Sequence, residues 1–157
     1  FLYFIGVVGM VRKEAANVAQ TLPRVCAAVL KHLNSGAVNS ACTTLRGWVA
    51  RAPSSMLQQD QMPERLRAVI AATVQQGLAP RAAGPAVSAA SLATMANLTT
   101  ASGDWKLTLR ALEAMPEAGV TPSGVSVAKT LRSGNALAVL DWAQRRGIAL
   151  HHVSALR

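Results

Sequence analysis

The sequence predicts an all-α fold, an α-solenoid-like array of antiparallel helical hairpins with six to eight short helices and no sheet. Three observations carry that prediction. Apolar residues make up 51% of the chain while aromatics are only 4%, and Ala and Leu dominate, a balance that favours helices over sheets. Apolar positions recur at three- and four-residue spacing between Gly and Pro, and no stretch alternates with period two for long. Several predicted helix ends also look alike, which suggests stacked units.

A length of 157 residues suits one domain or a short repeat array. Residues 1–20 form an N-terminal hydrophobic and basic segment, and residues 21–157 a helical-repeat domain. The opening run from Phe1 to Val11 is too short to span a bilayer alone. It is expected to dock on a neighbour; the alternative is the end of a longer hydrophobic segment flanked by Arg12 and Lys13. A cleaved organelle presequence is a further explanation for the absent initial Met.

The first helix is expected over Leu22–Asn34, capped by Thr21, with Pro23 in its first turn and Gly36 past its end. A second runs from about Ser40 to Arg51, with Leu45, Trp48 and Val49 inward and Pro53 as its stop. After a polar loop, Asp60 caps a helix that starts near Pro63, buries Leu66, Val69, Ile70 and Val74, and stops at Gly77. Gly84-Pro85 opens a helix rich in Ala and Ser that reaches about Leu98, followed by a turn over Thr99–Gly103. Asp104 caps a helix carrying Trp105, Leu109, Leu112 and Met115, closed by Gly119 and Pro122. Ser123 begins a short helix with Val127 and Leu131 that ends at Gly134. Asn135 starts a last one with Leu137, Leu140 and Ala143 inward, terminated by Gly147. Leu66, Ile70, Leu109, Leu112 and Leu140 are expected in the core.

Gln76-Gly77-Leu78-Ala79-Pro80 and Ala118-Gly119-Val120-Thr121-Pro122 share a pattern, and Arg146-Gly147-Ile148 keeps its first half. The expected role of each glycine is a left-handed helix stop, with the apolar residue folding back onto the hairpin. The run from Asp104 to Pro122 resembles the second helix and exit turn of a pentatricopeptide repeat, with Met62–Pro80 a weaker copy and Asn135–Ile148 a truncated one. The resemblance spans about residues 62–148. It implies a right-handed array in an organellar RNA-binding protein, and some members of that family belong to mitochondrial ribosomes. The family's base-reading positions fall here on Arg81 and Ser123 after the prolines, and on Ala86 and Ala128 early in a helix. Alanine cannot hydrogen-bond a base edge, so recognition by shape and charge is expected rather than a base code.

Sixteen Lys and Arg face seven Asp and Glu, a formal charge of +9 that suits an RNA backbone, an anionic membrane or an acidic partner. Arginine outnumbers lysine, which occurs only at Lys13, Lys31, Lys106 and Lys129. Its planar fork favours phosphates. Arg65, Arg67, Arg81, Lys106, Arg110, Lys129 and Arg132 are the candidate RNA-binding residues. Lys106 and Arg110 share a helix face at i and i+4, and Lys129 and Arg132 share one at i and i+3.

No catalytic, metal or cofactor constellation emerges. His32, His151 and His152 lack a nearby carboxylate or a Cys at ligand spacing, and Gly6-Val-Val-Gly9 lacks the rest of a phosphate loop. Cys26 and Cys42 sit among apolar residues and are expected as reduced thiols in a mitochondrial matrix, or in another organelle. The expected protein is therefore not an enzyme. It is an RNA-binding or ribonucleoprotein component, with a mitochondrial ribosomal subunit the leading case and ribosomal or other organellar RNA and neighbouring proteins as partners. The alternative is a helical scaffold subunit of a membrane-associated organellar complex.

Overall fold

The computed structural model describes residue 17 and residues 20–80, 86–122, 127–128, 130–131 and 136–148, and no strand occurs among them. Helix α1 covers residues 20–34. It is followed by α2 (Val38–Val49), α3 (Glu64–Leu78), α4 (Ala89–Ser102), α5 (Trp105–Ala114) and α6 (Ala136–Arg145). Single 3-10 turns fill Ser54–Leu57 and Pro116–Ala118, and residues 127–128 and 130–131 are also helical. The N-terminal segment up to Ala16, Gly84-Pro85, Ser123, Gly134, Asn135 and His151-His152 lie outside the described residues.

Several predicted boundaries hold for the expected reason. Asp104 caps α5, its Oδ1 accepting the Leu107 N–H at 3.1 Å. Gly119 and Gly147 adopt φ of +74° and +64°, a region that only glycine enters without strain. Behind each, the next residue's N–H reaches back five residues, Val120 to the Met115 carbonyl and Ile148 to that of Ala143.

Others move. Thr21 lies inside α1, where its Oγ1 accepts the Trp48 indole N–H at 3.1 Å. Asp60 is exposed and does not cap α3, which begins directly after Pro63 in an extended conformation. The predicted turn over Thr99–Gly103 is the last turn of α4, which starts later than expected, at an N-cap supplied by Ser88. Ala86 is not an early-helix residue. It lies in the segment entering α4, where the Asn39 side chain donates to its carbonyl and accepts the Ser88 N–H.

The largest correction concerns Gly77. It is a buried residue within α3 and has no positive φ, so the similarity to Gly119 is one of letters and not of backbone. A Cβ there would overlap Met95 Cε and come within 3.1 Å of its Sδ and 3.2 Å of Val38 Cγ1. The glycine is there because α2, α3 and α4 approach each other closely at that point.

Helices α2 to α5 pack on their chain neighbours and on the helix two along: α3 touches α2, α4 and α5, and α4 touches α2 as well as α5. α1 joins through the Trp48–Thr21 bond to α2 and through Gln76 Nε2, which donates to the Leu33 carbonyl at 2.6 Å, to α3. One core runs through Val29, Leu45, Leu66, Ile70, Val74, Met95 and Leu112. Leu66, Ile70 and Leu112 are buried as their spacing predicts, whereas Leu109 and Leu140 are only partly so. In α6 the inward stripe is Val139, Trp142 and Ala143, and Leu137 is 79% exposed. A helix buries one stripe, and the one containing the indole removes more apolar surface from water than Leu137 and Leu140 do.

The small polar residues of the central pair are buried without penalty. Thr94, Thr99 and Thr108 each donate to the carbonyl one turn back, and Thr108 Oγ1 also meets Thr99 Oγ1 at 2.9 Å across the α4–α5 turn. Their hydroxyls are satisfied inside the helix, which lets the two backbones pack closely.

Candidate nucleic-acid interface

Of the seven predicted RNA-binding residues, Arg65, Arg67, Lys106 and Arg110 are described, while Arg81, Lys129 and Arg132 lie outside the described residues. Arg65, Lys106 and Arg110 are exposed, and none pairs with a carboxylate among the described residues. Lys106 and Arg110 project from one face of α5, as their spacing requires. Lys106 Nζ hovers 5.8 Å from the centroid of the Trp105 ring.

Arg67 is placed differently. Its guanidinium donates to the Ser102 carbonyl at the end of α4 and to the Gln59 carbonyl at 2.6 Å, and its Nε lies 3.7 Å from Glu64. It ties the loop before α3 to the α4–α5 turn, so most of its donors are already used. It nevertheless lines, with Gln59, Ser102, Asp104, Trp105 and Lys106, a cleft of about 340 Å³ beside that turn.

The predicted set omits a second group. Arg24 and Lys31 on α1 and Arg46 and Arg51 at α2 are all exposed, and the sequence from Gln20 to Gln59 contains no Asp or Glu. That acid-free run is the signal that marks them; the repeat resemblance points to the other half of the chain. Arg24 and Arg51 flank a mainly apolar cleft of about 400 Å³ between α1 and α2.

Cys26 and Cys42 are free and buried. Burial pushes the Cys42 thiol from 9.0 up to about 11, against the smaller opposing pulls of the Ser91 hydroxyl and Arg46. Cys26 is raised too, by burial, with Arg65 opposing. A raised folded-state value means the folded chain holds these protons longer than the unfolded chain does. For Cys42 the contribution to stability is therefore full below about pH 9 and is lost as pH rises towards 11. Chemical denaturation midpoints should fall across that window, and a Cys42→Ala variant should show a shallower fall. At pH 7.5 iodoacetamide should label neither thiol until the chain is unfolded, since the thiolate is the reactive form.

His32 is half-buried on α1, and no group of three metal-ligating side chains occurs among the described residues. No helix among them is long and apolar enough to cross a membrane. No family model, curated protein or solved structure matches this chain.

Proposed function

We propose that this chain is an RNA-binding or ribonucleoprotein component of an organelle, with a mitochondrial ribosomal subunit in the matrix as the leading case. Its hairpins stack as a short right-handed α-solenoid-like array, and it grips RNA phosphates through basic helix faces rather than catalysing a reaction. One observation carries the reading. Eight exposed cations, Arg24, Lys31, Arg46, Arg51, Arg65, Lys106, Arg110 and Arg146, pair with no carboxylate among the described residues. Like charges left unpaired in such number repel one another and are stabilised by a polyanion. The packing of α2 to α5 on the next helix and the next-but-one supports the array, and the Asp104–Pro122 run supports the family resemblance.

The scaffold reading has one observation of its own, the apolar cleft between α1 and α2, which would accept an apolar side chain from a neighbouring protein. Equilibrium binding to RNA over a salt series separates the two. With roughly three to five phosphates neutralised, log affinity should fall against log salt with a slope of about −2 to −3.5 for a single strand. It should also depend little on sequence. Crosslinking by ultraviolet light in intact organelles should recover RNA with the protein. Failure of the folded chain to bind any RNA at low salt would hand the case to the scaffold.

A further inference from the structure

Of the three tryptophans, Trp48 and Trp142 are only 3% and 4% exposed, whereas Trp105 stands partly in solvent at the first position of α5. Its ring borders the 340 Å³ cleft, an aromatic surface beside a helix face that carries Lys106 and Arg110. We infer that this cleft docks one unstacked nucleotide of single-stranded RNA, its base against the Trp105 ring and its phosphate on Lys106, while Arg110, one turn along and outside the cleft, takes the next phosphate of the strand. The inference rests on the RNA-binding reading above and names the form of RNA that the site selects.

A large apolar ring at the surface keeps unused affinity for another flat apolar face, and every base has one. In the free protein Lys106 lies over the indole, a cation–π contact that contributes little at an exposed site. Its flexible stem lets the ammonium leave the ring for a phosphate when a base arrives. Arg110, one turn along, presents its fork on the same side. Arg67 adds a fixed positive charge to the wall, held by the Gln59 and Ser102 carbonyls. Three carboxylates stand near these three cations. Asp104 on the rim accepts the Leu107 N–H, and Glu64 lies beside Arg67. Glu113, three residues beyond Arg110, shares the exposed Lys106–Arg110 face but forms no ion pair with either, which leaves both cations open to a phosphate. The volume falls at the lower end of the roughly 300–1,000 Å³ usual for small-molecule pockets, enough for one base and too little for a paired one. Phosphate contacts alone would accept duplex and single strand with little distinction. An aromatic platform requires a base that is free to leave its stack.

The test combines Trp fluorescence with an independent binding measurement, anisotropy of end-labelled RNA, on the full chain with ten-residue single-stranded oligoadenylate and a duplex of equal length. Single-stranded RNA should quench part of the wild-type emission and bind more tightly than duplex. Trp105→Phe should abolish the quenching while keeping most of the affinity. Trp105→Ala should lose at least about fivefold in single-strand affinity and leave duplex affinity unchanged. Should Trp105→Ala fail to fold, the wild-type and Trp105→Phe quenching and the duplex comparison decide alone. Binding of RNA by anisotropy without quenching, or with equal affinity for duplex, would overturn this inference and leave the RNA reading standing. No binding to either RNA would overturn both.

Discussion

Replacing Lys106 and Arg110 together by glutamate is expected to weaken binding to every RNA alike, by at least about 25-fold at 0.1 M salt. The figure follows from releasing two phosphates at about 0.7 each in the log–log slope, or about 1.4 powers of ten for a tenfold dilution of salt below 1 M. Repulsion from the two new carboxylates adds to it. The salt slope should become shallower by the same 1.4 or so. Both side chains are exposed and neither joins an ion pair with a described residue, so the melting temperature should move little, as surface changes usually cost within about 0.5 kcal/mol. Arg67 is unsuited to this test, because its guanidinium holds two carbonyls and its loss would loosen the α4–α5 turn. Affinity that is unchanged in the double variant, or abolished for one sequence and kept for another, would show that phosphates at this face are not what the protein holds.

How much of this was legible beforehand depended on whether a signal was local. The Asp104 cap and the Gly119 and Gly147 ends are settled within five residues of chain, by a carboxylate near free N–H groups or by a backbone only glycine adopts. Those were readable. The burial of Leu66, Ile70 and Leu112 was readable too, because helical spacing fixes a face whatever lies opposite. The rotation of α6 was not, since Leu137–Leu140 and Val139–Trp142 both make apolar stripes and only the neighbours choose between them. The half-exposure of Trp105 was hidden likewise, since a Trp at helical spacing with Leu109 and Leu112 looks like core. The cations of α1 and α2 were legible in principle, as an acid-free run from Gln20 to Gln59.

Gly77 was misread for the most instructive reason, that glycine serves two unrelated purposes, a left-handed stop and a close approach. The two make opposite predictions for substitution. Inside α3, Ala gains roughly 0.5–1 kcal/mol of helix stability over Gly, but its Cβ meets Met95 and Val38. The overlapping atom is the end of a flexible methionine, so displacement costs on the order of 1–3 kcal/mol, and Gly77→Ala should lie between neutral and about 2 kcal/mol destabilising. Gly77→Leu must place three further carbons between Met95 and Val38 in a closed core, and should cost more than about 3 kcal/mol. For a chain of this size that is a melting temperature lower by roughly 6–12 °C, read by circular dichroism at 222 nm. Adding Met95→Ala should return part of the loss, because the space it vacates is the space the leucine needs. Asparagine gives the sign. At a left-handed stop it is tolerated better than alanine; in a buried helix interior it brings an amide with no partner and should be clearly worse. Gly77→Asn melting above Gly77→Ala would restore the stop and with it the repeat boundary at Pro80.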